Sequence, residues 1–131
     1  MNNYVAIALL DKNKVLMQLR DNKSNIYEPN KWNLPGGKCK IGESLDQAIR
    51  REFKEETGYV LKNPKKINTL FMSYEKGDYN WHIFTEEFDD KQEIRCYEGQ
   101  KMEFLTLEEL RKMDLARKNL EVLEFVFSSR F

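Results

Sequence analysis

The chain has 131 residues, 40% of them hydrophobic and 34% charged, with 22 basic residues, 22 acidic residues and one histidine. That length and composition fit one globular domain over 1–131, with little room for a second. Formal neutrality excludes the long-range positive field that grasps long nucleic acid, and no apolar run approaches the ~18 residues of a membrane span. Two cysteines, Cys39 and Cys96, make no disulfide framework and have no metal-ligand spacing around them. Met1 to Leu10 carries no basic leader before a long apolar stretch. A soluble, cytoplasmic protein with reduced thiols is expected.

Tyr4 to Leu10 is an apolar run of strand length, Asp11 to Lys14 a turn, and Val15 to Leu19 a second strand, which together read as a hairpin. Arg20 to Lys31 is polar, contains Pro29 and reads as a loop. Trp32 to Leu34 is a short extended piece before Pro35-Gly36-Gly37. Residues 44 to 57 predict a helix: Ser44 with Gln47 fits a capping box, and Leu45, Ala48, Ile49 and Phe53 follow helical spacing. Gly58 suits its end, because glycine enters the left-handed region without a Cβ penalty. Ile67 to Tyr74 and Trp81 to Phe88 read as strands joined through Glu75 to Asp78, and Lys101 to Leu105 as another. Thr106 with Glu109 is a second capping box, predicting a short helix to about Met113. Arg117 to Ser128 predicts the last helix. Strands with interspersed helices define a mixed α/β or α+β domain.

The first helix carries the chemistry. Glu52, Glu55 and Glu56 stand at i, i+3 and i+4, on one face. At 100° per residue from Leu45, the apolar positions 45, 48, 49 and 53 point to about 0°, 300°, 40° and 80°; the glutamates point to about 340°, 280° and 20°. The carboxylates therefore continue the apolar stripe, whereas a solvated face would oppose it. They also crowd one another near a helix C-terminus, where the dipole disfavours negative charge and repulsion raises at least one pKa. A divalent cation relieves both strains, and carboxylate, water and phosphate oxygens are the ligands that Mg²⁺ or Mn²⁺ prefers.

These glutamates belong to a longer pattern: Gly37, five residues, Glu43, seven residues, then Arg51 through Tyr59. It resembles the Nudix box of the Nudix hydrolases, here over 37–59, with all seven fixed positions present. A chance match in a chain of this length is on the order of one in a million. Phe53 and Tyr59 stand where the family usually has aliphatic residues, and Lys40 where many members have a glutamate. Trp32 through Lys38 is similar to the segment that opens the box in MutT-type members. The resemblance implies a Nudix-type α/β/α sandwich with a central mixed β-sheet. It also implies Mg²⁺-dependent hydrolysis of a phosphoanhydride in a nucleoside diphosphate derivative, with Mn²⁺ as an alternative ion.

By the same resemblance, Glu52, Glu55 and Glu56 are expected to ligate metal together with the Gly36 carbonyl. Glu98, in Tyr97-Glu98-Gly99-Gln100, is similar to a MutT-type segment that supplies a further acid. Glu52 or Glu56 would polarise the water, Glu43 would act as base or orient the ligands, and Arg51 would orient a glutamate through a charge-assisted hydrogen bond. Lys38 and Arg20 are candidates to meet phosphate. Asn119 corresponds loosely to an asparagine that reads a purine edge in a MutT-type enzyme. His82, the one histidine, fits a place in the sheet or at the surface better than a catalytic one. Trp32, Tyr74, Tyr79 and Trp81 are available to stack on a base.

The expected substrate is a small nucleotide, a nucleoside triphosphate cleaved to monophosphate and pyrophosphate, oxidised dNTPs such as 8-oxo-dGTP included. Nucleotide-sugar, ADP-ribose or dinucleoside polyphosphate hydrolysis is the alternative, and a non-catalytic nucleotide sensor a remote one. No long nucleic acid and no membrane is expected as a partner, and both monomer and homodimer fit.

Overall fold

β1 (Asn2–Asp11) runs through the middle of a seven-stranded mixed sheet. The computed structural model describes residues 1–129. Val5 to Leu10 are all buried, so β1 is covered on both faces, which is why it reads as a continuous apolar run. Its side chains alternate: Val5, Ile7 and Leu9 join one core, Ala6, Ala8 and Leu10 the other. Fully burying a side chain such as Ile7 or Leu9 contributes roughly 1.5–3 kcal/mol.

The expected hairpin is present: β2 (Lys14–Leu19) pairs antiparallel with β1 through Leu10↔Val15. β3 (Trp32–Asn33) and β7 (Lys101–Thr106) both pair with β2. On the other edge β6 (Tyr79–Glu87) runs parallel to β1, and β5 (Lys65–Met72) closes that edge antiparallel to β6. β5 and β6 begin about two residues earlier than the sequence pattern suggests, and their pairing slips between Lys66 and Asn68. β4 (Gly36–Lys38), for which the sequence pattern predicts no strand, pairs antiparallel with Tyr4 to Ala6. Beyond it, β1 loses this partner and picks up β2 only at Leu10. The β1 edge is therefore split.

α1 (Leu45–Thr57) has the expected capping box: Ser44 accepts from the Gln47 amide at 3.1 Å, and Gln47 accepts from the Ser44 amide at 2.9 Å. Gly58 ends it at φ 78, donating to the Lys54 carbonyl at 2.8 Å. Ala48, Ile49 and Phe53 pack α1 on Val5, Ile7 and Leu9. Phe53 and Tyr59, unusual at their positions, answer each other: both are fully buried, with ring centroids 5.6 Å apart, edge to face.

α2 (Leu107–Leu110) keeps its capping box at Thr106 but is one turn long, short of Met113. α3 (Asn119–Ser128) begins two residues later than expected, because Lys118 adopts a left-handed conformation at φ 63 and turns the chain. It covers the opposite sheet face through Val122, Leu123 and Val126. Helices on both faces of a mixed sheet make the expected α/β/α sandwich. His82 is held within the sheet, Nδ1 3.0 Å from Thr69 Oγ1 and Nε2 2.9 Å from Asn3 Oδ1. Burial and then the charge of Lys66 keep its pKa below the ordinary histidine value. Cys39 and Cys96 are free thiols. Among the described residues no helix is long and apolar enough to cross a membrane.

Candidate active site

The three helix glutamates differ in burial in the order of their angles. Glu56, at the centre of the stripe, is 2% exposed; Glu52 is half-buried; Glu55, at the margin, is exposed. Glu56 Oε1 is buried without a hydrogen-bond partner among the described residues. Burial pushes the Glu56 carboxyl up to about 9; the charges of Glu98 and Glu52 add to the rise, a backbone hydrogen bond from Gly36 opposes it, and Glu55 adds again. Burial also raises Glu52, against the pull of Arg51.

Two glycines let β4 approach this acid group. A Cβ on Gly36 would lie 1.9 Å from the Val5 carbonyl oxygen, so only glycine lets β4 lie against β1 here. A Cβ on Gly37 would lie 2.4 Å from the Glu52 carboxyl carbon, so the carboxylate occupies the space a side chain would take. Gly37→Ala therefore displaces Glu52 while the backbone stays in reach. We expect turnover at this site to fall about 100-fold, the loss typical of small misplacements, with little change in thermal midpoint. Parallel activity assays and melting curves check this.

Arg51 organises the outer side. Its Nε and Nη2 donate to the two Glu43 oxygens at 2.7 and 2.9 Å, Nη1 donates to Glu52 at 2.9 Å, and Nη2 also donates to the Lys38 carbonyl at 3.1 Å. Nη1 reaches Glu55 more loosely, at 3.3 Å to each oxygen. Glu43 further accepts from the Lys40 amide at 2.9 Å, so the backbone of Lys40, whatever its side chain, closes this turn. The Arg51 hydrogen bonds, with that from Lys40, pull the Glu43 carboxyl down to about 2. Glu43 is thus held as an anion with both oxygens hydrogen-bonded.

Glu52 and Glu98 line a cleft of about 550 Å³, within the usual range for ligand pockets. Gly36, Gly37, Lys38, Arg20 and Arg117 line it as well. Glu98 is exposed, its loop held by Gln18 Nε2 donating to the Glu98 carbonyl at 2.8 Å. No three His, Cys, Asp or Glu side chains among the described residues form a ready metal cage. The donor set nevertheless fits a divalent cation: an orphaned buried carboxylate oxygen at Glu56, with the carboxylates of Glu52 and Glu98 acting on it, beside a backbone free of Cβ atoms.

Two residues expected at the substrate are engaged by their own chain. Asn119 is 1% exposed and stands behind the cleft wall: Oδ1 accepts from the Leu34 amide at 2.9 Å, and Nδ2 donates to Asn33 Oδ1 at 2.9 Å and the Ala116 carbonyl at 3.1 Å. Its carboxamide secures the wall. Arg20 lines the cleft, but its Nε donates to the Tyr27 carbonyl at 2.8 Å, so part of its guanidinium holds a loop. Trp32 lies under Lys101 Nζ, 5.5 Å from the ring centroid, away from the cleft lining. Tyr74, Tyr79 and Trp81 do line the cleft. Tyr4, Tyr27 and Arg117 join them; their sequence neighbourhoods carry no motif, and only the sheet register and two loops bring them together.

A mixed sheet between helices, with a glycine-opened strand feeding an acidic helix, defines a known class of domain. The NUDIX domain family model matches residues 2–126, and the chain belongs to this family. The ADP-ribose pyrophosphatase of Bacillus subtilis is 29% identical over 116 residues, 86% of this chain and 62% of that protein. The uncharacterized Nudix hydrolase YvcI of Bacillus subtilis is 27% identical over 104 residues, 76% of this chain and 66% of that protein. The chain thus spans just under two thirds of the length of these curated relatives. The fold matches the Escherichia coli ORF135 protein with a TM-score of 0.82 at 24% identity, over 99% of this chain and 91% of that one. It matches the MutT protein of Methanosarcina mazei Go1 with a TM-score of 0.82 at 21% identity, over 99% and 96%.

Proposed function

We propose that this protein is a divalent-metal-dependent hydrolase of phosphoanhydride bonds in small nucleotides, and specifically a nucleoside triphosphate pyrophosphohydrolase releasing monophosphate and pyrophosphate. The observation that carries the reading is the buried Glu56 carboxylate with its orphaned oxygen, set against Glu52 and Glu98 beside a nucleotide-sized cleft. Mg²⁺, or Mn²⁺ in its place, would neutralise phosphate oxygens and acidify a water. Glu52, Glu56 and Glu98, with the Gly36 carbonyl, would hold the ion, and Glu55 would complete the set once released from its loose contact with Arg51. Arg51 keeps Glu52 aimed and fastens Glu43 and the Lys38 backbone to α1. Lys38 and Arg117 offer positive charge to the phosphates in the cleft. Displacement at phosphorus needs positioning and electrostatics without a covalent nucleophile, which agrees with this residue set.

The second reading, cleavage of ADP-ribose or a related dinucleotide, is favoured by the 29% identity to a protein named ADP-ribose pyrophosphatase. A panel of NTPs, dNTPs, 8-oxo-dGTP, ADP-ribose and diadenosine polyphosphates with Mg²⁺ separates the two by product. Pyrophosphate release from triphosphates is expected. Inert triphosphates with cleaved ADP-ribose would replace the first reading by the second.

A further inference from the structure

Gln18 interrupts the apolar run of β2. Val15, Leu16 and Met17 before it are buried hydrophobics, and Gln18 itself is only 5% exposed. Side chains alternate along the strand, so Gln18 shares the α1 side of the sheet with Leu16, while Val15 and Met17 face the other core. A buried amide is unfavourable unless it is hydrogen-bonded. Its Nε2 donates to the Glu98 carbonyl at 2.8 Å, across 80 residues of sequence.

That carbonyl matters because of what the Glu98 side chain lacks. Among the described residues Glu98 takes part in hydrogen bonds only through its carbonyl, which accepts from Gln18 and, at 3.2 Å, from the Cys96 thiol. Its carboxylate lines the cleft with Glu52, and its charge acts on both Glu56 and Glu52. With no partner of its own, the carboxylate is aimed by the backbone that carries it.

That backbone is a bridge from α1 to β2. The Arg95 and Tyr97 amides donate to the Thr57 and Glu56 carbonyls at 3.0 and 2.8 Å, satisfying the open end of α1. Beyond Glu98 the Gln100 amide donates to the Leu19 carbonyl at 2.8 Å. Gly99 lies between, at φ 85. A Cβ there would stand 2.8 Å from the Leu19 carbonyl oxygen and 2.9 Å from Gln18 Cγ, so glycine is needed for both its conformation and its lack of bulk. The peptide of Glu98 sits at mid-span, and Gln18 is the side chain beneath it.

We propose that Gln18 is a positioning residue for the cation site: it holds the Glu98 peptide against β2 and so keeps the Glu98 carboxylate in the cleft with Glu52. The proposal rests on the reading of these acids as a metal site. An apolar side chain of the same size would fill the same space, but it would leave the carbonyl without its nitrogen donor and the carboxylate without a fixed root.

Mn²⁺ titration followed by electron paramagnetic resonance tests this on the parent, Gln18→Met, Glu98→Ala and the double variant, with melting curves for each. Methionine keeps the length of glutamine and removes the donor. Gln18→Met should weaken Mn²⁺ binding about tenfold, the lower end of the range for residues that orient metal ligands. Glu98→Ala should weaken it at least as much. Adding Gln18→Met to Glu98→Ala should bring no further loss, because a residue that acts through Glu98 then has nothing to position. In metal-free protein the Tyr97 and Gln100 amides should exchange hydrogen faster in Gln18→Met, while those of β1 keep parent rates. Gly99→Ala displaces the same peptide with Gln18 intact, should give a similar Glu98-dependent loss, and decides the matter if Gln18→Met does not fold. Parent-like Mn²⁺ affinity in folded Gln18→Met, no loss in Glu98→Ala, or equal losses with and without Glu98 would overturn the positioning role and leave the metal site standing. A parent that binds no Mn²⁺ would refute the metal reading, and the positioning role with it.

Discussion

Glu56→Gln is expected to reduce metal-dependent hydrolysis by at least about 100-fold, beyond the range seen when residues that merely support a metal ligand are removed. In metal-free buffer at neutral pH the same substitution should make the protein more stable. The reason is linkage. In the fold the Glu56 carboxyl titrates near 9, and in the unfolded chain near 4.5. Its folded-state pKa is raised, so its contribution is fully present below the unfolded value and is lost as pH rises toward the folded one. Across that window metal-free stability should decline by up to about 1.4 kcal/mol per pH unit, a loss of roughly 3 kcal/mol by pH 7. Glutamine has no proton to lose and removes the slope. Melting curves in EDTA at pH 5, 7 and 9 should diverge between parent and variant as pH rises. With Mg²⁺ the parent midpoint should rise and the variant's should not. Parallel curves in EDTA, or turnover unchanged in the variant, would refute the metal site argued for Glu56.

Arg51→Lys carries the second large effect. The guanidinium fork serves Glu43 through two nitrogens while also reaching Glu52 and the Lys38 carbonyl. An ammonium is a point charge and cannot reproduce that fork. We expect a 10- to 100-fold loss of metal affinity and of kcat/KM, about the range for losing a residue that orients metal ligands. Mn²⁺ titration followed by electron paramagnetic resonance reads the affinity directly, apart from turnover. Full Mn²⁺ affinity in the lysine variant would show that Arg51 does not orient the ligands. Because Arg51 and Lys40 hold Glu43 ionised down to about pH 2, no activity limb between pH 4 and 9 should move in Glu43→Gln.

The acidic helix was legible because one short segment contains its own evidence. Capping residues fix its start, Gly58 its end, and the 100° count even ranks its glutamates: Glu56 near 20° is buried, Glu55 near 280° is exposed. Signals that depend on distant partners were not legible. Gly36-Gly37-Lys38 has the composition of a turn, and it becomes a strand because β1 lies within reach of a backbone without Cβ atoms. Nothing in the sequence around Asn119 foretells Leu34, Asn33 and Ala116 around its carboxamide. The tyrosines at 4, 27, 74 and 79 share no local pattern. Their meeting depends on strand register and on two connections folding over the same sheet end.

The divided edge of β1 has a consequence for how such a protein can change. Glu52 and Glu56 stand on α1 beside a glycine strand that has no room for a Cβ at Gly36 or Gly37. Tyr4 and Tyr79 stand on β1 and β6, and Tyr27 and Tyr74 on two connections. The acidic helix and the aromatic rings are thus attached to different parts of one sheet. Substituting or lengthening the segments around Tyr27 and Tyr74 would reshape the cleft lining while leaving β4 and α1 in place.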